Sequence, residues 1–101
     1  MKYNKLVRDN IPEIIKTTGK VVITHKAYQK EYQEKLNEKL KEEVNEYLEA
    51  ENIEELADIL EVIYAILDNK NCSKEKIEEI RKEKAKKRGS FNNKIILDEV
   101  D

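Results

Sequence analysis

Between Ala27 and Ala50 the chain has neither glycine nor proline, and Leu36, Leu40, Val44, Tyr47 and Leu48 recur there at spacings of three and four residues. That period puts them on one face of a long helix, which must cover its apolar stripe with other elements. Two Gly and one Pro among 101 residues supply few turns, and 42% of the chain is charged. This is the profile of amphipathic helices, not of a sandwich or barrel.

The remaining punctuation marks out further helices. Glu51-Asn52 offers a break with Asn52 as N-cap, and a second helix is predicted over residues 53 to 67, interrupted by Asp68-Asn69-Lys70-Asn71. Ser73 caps a third helix that runs to Arg88, with Gly89 as its stop. Upstream, Asp9-Asn10 before Pro12 resembles a helix start and Gly19 a stop, so a short helix is expected near residues 11 to 18. Val21 to Thr24 is expected to be extended. The tail segment Ile95-Ile96-Leu97 is expected to be extended and packed back on the body. Residues 1 to 101 therefore form one all-α domain with irregular ends. Its apolar arc over residues 53 to 67 is too broad for so few helices to cover, which predicts a homodimer or homotetramer.

Charge and cysteine usage narrow the function classes. Twenty basic and 22 acidic residues give a net charge of −2, so no whole-molecule field draws the protein to a nucleic-acid polymer. Cys72 is the only cysteine, which excludes an intrachain disulfide and suits a reducing compartment. No stretch approaches the ~20 apolar residues of a membrane span, and Met1-Lys2-Tyr3-Asn4-Lys5 has no apolar region of signal-peptide type. A soluble, cytoplasmic protein without a membrane partner is the expectation.

Four acids violate the helical pattern. At about 100° per residue, Glu43 falls between Tyr32 and Leu36 on the apolar side of the long helix, and Glu46 lies on its edge in line with Tyr28. On the next helix Glu55 falls between Val62 and Ile66, and Asp58 borders the same arc. Each pair stands at i,i+3 and so shares a helix face. A bare charge turned toward a core costs many kcal/mol unless it is paired or metal-bound. Ligation by oxygen alone suits Mg²⁺ or Mn²⁺. In a chain with 22 acids, chance placement with lysine or solvent as partner is the plain alternative.

Glu42-Glu43-Val44-Asn45-Glu46 followed by Glu55-Leu56-Ala57-Asp58 resembles the signature of the MazG-like nucleoside triphosphate pyrophosphohydrolases. This all-α superfamily includes phosphoribosyl-ATP pyrophosphohydrolase and dimeric dUTPase. Tyr3-Asn4-Lys5-Leu6-Val7-Arg8-Asp9, Ile11-Pro12-Glu13-Ile14-Ile15 and Lys84-Ala85-Lys86-Lys87-Arg88-Gly89-Ser90-Phe91 are similar to a phosphoribosyl-ATP-pyrophosphohydrolase-like subgroup. Only eight residues separate Glu46 from Glu55, which leaves no room for the substrate-recognising insertion of larger members. The resemblance implies Mg²⁺ ligation by Glu43, Glu46, Glu55 and Asp58. It also implies hydrolysis of the α,β phosphoanhydride to a nucleoside monophosphate and pyrophosphate, in clearance of non-standard nucleotides or, alternatively, on phosphoribosyl-ATP in histidine biosynthesis. The rival from another class is a non-catalytic helical assembly or regulatory module.

A triphosphate brings about −4 to a site that already holds four carboxylates, so more than one metal ion and additional basic groups are needed. Arg81, Lys84 and Arg88 lie in angular line with Ile77, which turns them toward the body. With Lys5 and Arg8 they are the candidate phosphate binders. Helix-dipole complementation and salt bridges of the N-terminal arm are their simpler roles. Glu46, or failing that Glu42, is the candidate to orient or deprotonate the attacking water. Tyr28, Tyr32, Tyr47 and Tyr64 are expected in core or interface, and His25 is expected to be structural or incidental.

Overall fold

A computed structural model describes all residues from Met1 to Asp101, with four helices and no strand. Helix α1 spans Ile11–Lys16, α2 Gln29–Ala50, α3 Ile53–Asn69 and α4 Lys74–Arg88. Pro12 sits in the first turn of α1, where its missing N–H costs no helical hydrogen bond. Helix α3 begins as the sequence predicts, with the Asn52 side chain accepting from the Glu55 N–H, and Ser73 caps α4 by accepting from the Lys76 N–H. Gly89 ends α4 at φ +85°, a conformation open to glycine. The α2–α3 turn uses the left-handed stop usually given to glycine, without a glycine. Glu51 itself takes the left-handed conformation at φ 52° and donates its N–H to the Tyr47 carbonyl.

The principal packing is α2 against α3, a helical hairpin closed by the two residues Glu51 and Asn52. Leu36 of α2 and Val62 and Leu67 of α3 form its buried centre, and Glu43 is buried with them. No other residue is fully buried, and the radius of gyration of 18.0 Å exceeds the ~13 Å of a compact domain this size. Helix α4 is the reason for part of this length. Its few apolar residues form no continuous stripe, and it makes no extended packing on α2 or α3.

One expectation is corrected. Ile95, Ile96 and Leu97 do not pack back on the body but are about four-fifths exposed. Val21 to Thr24 lies outside every helix and pairs with no strand. Helix α3 carries a second apolar stripe as well. Ile53, Leu56 and Leu60 follow at three- and four-residue spacing on the side turned from Val62, and all three are exposed. No helix is long and apolar enough to cross a membrane.

With the core this small, each buried side chain carries a large share of stability. Leu36→Ala is expected to cost about 2–5 kcal/mol, and Asn52→Ala about 1 kcal/mol, both measured by urea denaturation.

Candidate metal centre

The hairpin brings the pattern-breaking acids together. On α2, Glu43 lies two turns beyond Leu36 on the buried side, and on α3 Glu55 and Asp58 lie half-buried on the side that carries Val62. Carboxylate oxygens of Glu43, Glu55 and Asp58 lie within 4.8 Å of one another, and so do those of Glu42, Glu43 and Glu46. Glu43 belongs to both groups. It is the hub because it alone sits deep enough in the interface to face α3 while sharing a turn of α2 with Glu42 and Glu46.

Its two oxygens have different surroundings. Oε1 lies 3.2 Å from the Lys39 ammonium, whereas Oε2 is buried without a hydrogen-bond partner. An unpaired buried carboxylate oxygen is costly, and a cation at that position would satisfy it. Three basic residues already touch the cluster. Lys39 also reaches Glu42 at 3.3 Å, Lys5 of the N-terminal arm reaches Glu42 at 3.3 Å, and Arg8 donates to Asp58 at 2.8 Å. Five acids (Glu42, Glu43, Glu46, Glu55, Asp58) against three bases (Lys5, Arg8, Lys39) leave a formal −2.

These contacts separate the two candidate bases. Partial burial disfavours the Glu42 anion, but the ammonium groups of Lys39 and Lys5 outweigh it and hold its carboxyl below the ordinary range. Glu46 moves the other way. The adjoining Glu43 carboxylate, with smaller contributions from burial, Glu42 and Glu55, pushes its carboxyl up. Burial likewise opposes the charge on Lys39, yet Glu43 and Glu42 more than offset it and raise its pKa. Glu42 anchors the N-terminal arm through Lys5, whereas Glu46 lies exposed at the edge of the cluster with no basic partner.

Of the sequence-predicted ligands, Glu43 stands close to Glu55 and Asp58 on one side and to Glu46 on the other, while Arg8 pairs with Asp58 and Lys5 with Glu42. The other predicted phosphate binders do not reach these acids. Arg81, Lys84 and Arg88 are exposed on α4, and Arg81 pairs with Glu78 of its own helix. Alignment with half-buried Ile77 does not turn them inward, because α4 does not lie along the hairpin. Lys39 is the residue that sequence reasoning missed. Its spacing to Glu42 and Glu43 was visible, but nothing in the sequence distinguished it from nineteen other basic residues. His25 pairs with Glu31 at 3.0 Å and is exposed. Tyr64 receives the Lys74 ammonium 4.2 Å from its ring centre, and Tyr28 is exposed.

The donor set fits a hard divalent ion. Oxygens around Mg²⁺ at about 2.1 Å stand roughly 3–4 Å apart, a spacing that small side-chain rotations within either group would reach. Comparison with family models, with curated proteins and with solved structures finds no match for the chain.

The raised carboxyl of Glu46 fixes a pH dependence. From the ordinary value of 4.5 up to the raised one, the folded metal-free protein binds more protons than the unfolded chain, so stability falls as pH rises across that window. Glu46→Gln removes this slope. In metal-free buffer at pH 7 the variant is expected to melt above the unsubstituted protein, and thermal melts across pH 4 to 8 measure both effects.

Proposed function

We propose that the chain is a Mg²⁺- or Mn²⁺-dependent nucleoside triphosphate pyrophosphohydrolase of MazG-like type. The observation that carries this reading is Glu43, a buried carboxylate with one unpartnered oxygen, shared by two groups of acids. Glu43, Glu46, Glu55 and Asp58 would hold the metal, and the sharing of Glu43 suits more than one ion. Bound there, the metal supplies Lewis-acid polarisation of the phosphoryl oxygens and positive charge for the leaving pyrophosphate.

The protein's own residues have the following parts. Glu46, at the exposed edge of the cluster, would orient or deprotonate the attacking water. Lys5 and Arg8, on an arm that bridges α2 through Glu42 and α3 through Asp58, offer their remaining N–H groups to substrate phosphates. Arg81, Lys84 and Arg88 would join them only from another subunit. The exposed stripe of Ile53, Leu56 and Leu60 supports such an assembly, as does a core of three apolar side chains. A nucleotide with a modified base, or phosphoribosyl-ATP, is the substrate class.

One observation favours a second reading. Lys5, Arg8 and Lys39 neutralise much of the cluster without any metal, as they would in a non-catalytic helical assembly.

Pyrophosphate release decides between the two. Canonical, modified and phosphoribosyl nucleotides are assayed with Mg²⁺ or Mn²⁺. The enzyme reading expects metal-dependent release from at least one, lost in Glu55→Gln and reduced about 10²–10⁴-fold in Glu46→Gln. No release from any nucleotide establishes the second reading. Light scattering is expected to give two or four times the chain mass of 12.0 kDa, and a 12.0 kDa particle at micromolar concentration would contradict assembly.

A further inference from the structure

The charge on Lys39 is held where an ordinary surface lysine is not. Its side chain is about one-sixth exposed, and its ammonium lies 3.2 Å from Glu43 Oε1 and 3.3 Å from Glu42 Oε2. The other two bases at the cluster differ from it. Lys5 and Arg8 are about half exposed, each holds one acid, and both come from the arm. Lys39 alone stands on α2 itself, bridges two acids of the cluster, and touches the hub Glu43.

We propose that Lys39 is a resident counter-cation that occupies the carboxylate cluster in the metal-free protein and is exchanged from Glu43 when a divalent ion binds. The inference rests on the metal reading given above. Its first support is the asymmetry of Glu43: the ammonium satisfies Oε1 and cannot also satisfy Oε2, so one resident charge leaves the buried carboxylate half-paired. A divalent ion shared with Glu55 and Asp58 draws on the same anion and repels the ammonium beside it. Its second support is that the displaced amine has somewhere to go. Beside it opens a cleft of about 130 Å³ lined by Lys5, Leu6, Lys35, Lys39, Glu38 and Glu42. Turning toward this cleft, Lys39 gives up Glu43 and keeps Glu42, while Glu38, paired with Lys35 at 3.4 Å through one oxygen, offers its other.

Lys39 is thus a positioning residue with two opposed effects. In the metal-free protein it steadies Glu43 and keeps the cluster from repelling itself apart. Against an incoming ion it competes for the same carboxylate. A lysine that merely packed would have only the first effect, since its loss would weaken folding and metal binding together.

The experiment compares the unsubstituted protein with Lys39→Met, Lys39→Gln and Lys39→Arg, using Mn²⁺ alone, titrated by calorimetry and by paramagnetic resonance, beside metal-free thermal melts. The neutral variants are expected to melt lower without metal, yet to bind Mn²⁺ tighter on the order of tenfold, as loss of one positive charge ~5 Å from a divalent ion implies. Lys39→Arg is expected to keep both properties near those of the unsubstituted protein. A second measurement needs no variant: acylation of the Lys39 amine in the unsubstituted protein is expected to speed up when Mn²⁺ is added. Mn²⁺ binding that is unchanged or weaker in a folded neutral variant overturns the exchange while leaving the metal reading standing, and so does acylation that slows or stays constant. Absence of Mn²⁺ binding in every form overturns the metal reading and this inference with it.

Discussion

The burial of Glu43 between α2 and α3 is the constraint to which the rest of the structure answers. The hairpin forms because Leu36, Val62 and Leu67 need cover, and closing it carries a carboxylate into the same interface. Burying that charge opposes folding, so the neighbouring groups are organised around it. Lys39 comes up from the preceding turn of α2, and Glu55 and Asp58 approach from α3. The N-terminal arm, which has little apolar contact of its own, is fixed across the hairpin by Lys5 on Glu42 and Arg8 on Asp58. Exposed pairs of this kind are worth little each, and the arm's placement rests on two of them together with half-buried Leu6 and Val7.

How much of this was legible in the sequence follows from the range of the forces involved. Helix bounds and caps are local, and Asn52 marked the start of α3 and Ser73 and Gly89 the two ends of α4 as they stand, whereas α3 runs past the expected residue 67 to Asn69. The facing of Glu43 and Glu55 was legible too, because a helix converts spacing into direction. Angle alone failed at Arg81, Lys84 and Arg88, since a shared direction along α4 says nothing about what α4 lies against. Lys39 escaped for the opposite reason. Its i,i+3 and i,i+4 partners were in plain view, but only the hairpin shows that Glu43 is buried and that the lysine beside it is shielded from water.

Stability and the burial of charge pull against each other at this site. A chain with so few buried apolar side chains spends part of its one good interface on an anion with an unpartnered oxygen. Such a cluster makes stability depend on whatever cation it holds. Any ion bound to the folded form alone adds RT ln(1 + [L]/Kd), roughly 1.4 kcal/mol at a tenfold excess over Kd. For a marginal domain that is a substantial fraction of the whole.

The two faces of α3 differ in character. On α3 the acids Glu55 and Asp58 share the side of Val62, whereas Ile53, Leu56 and Leu60 point to the other side. A second copy seated on that outer stripe would cover the apolar surface that one chain leaves exposed, and would do so without touching the carboxylates from behind. The cluster would stay open along the edge where exposed Glu46 and the N-terminal arm lie. One helix would then serve both demands through its two faces. Such a division would account for a helix that is apolar over so much of its circumference and yet keeps two acids on its inner side.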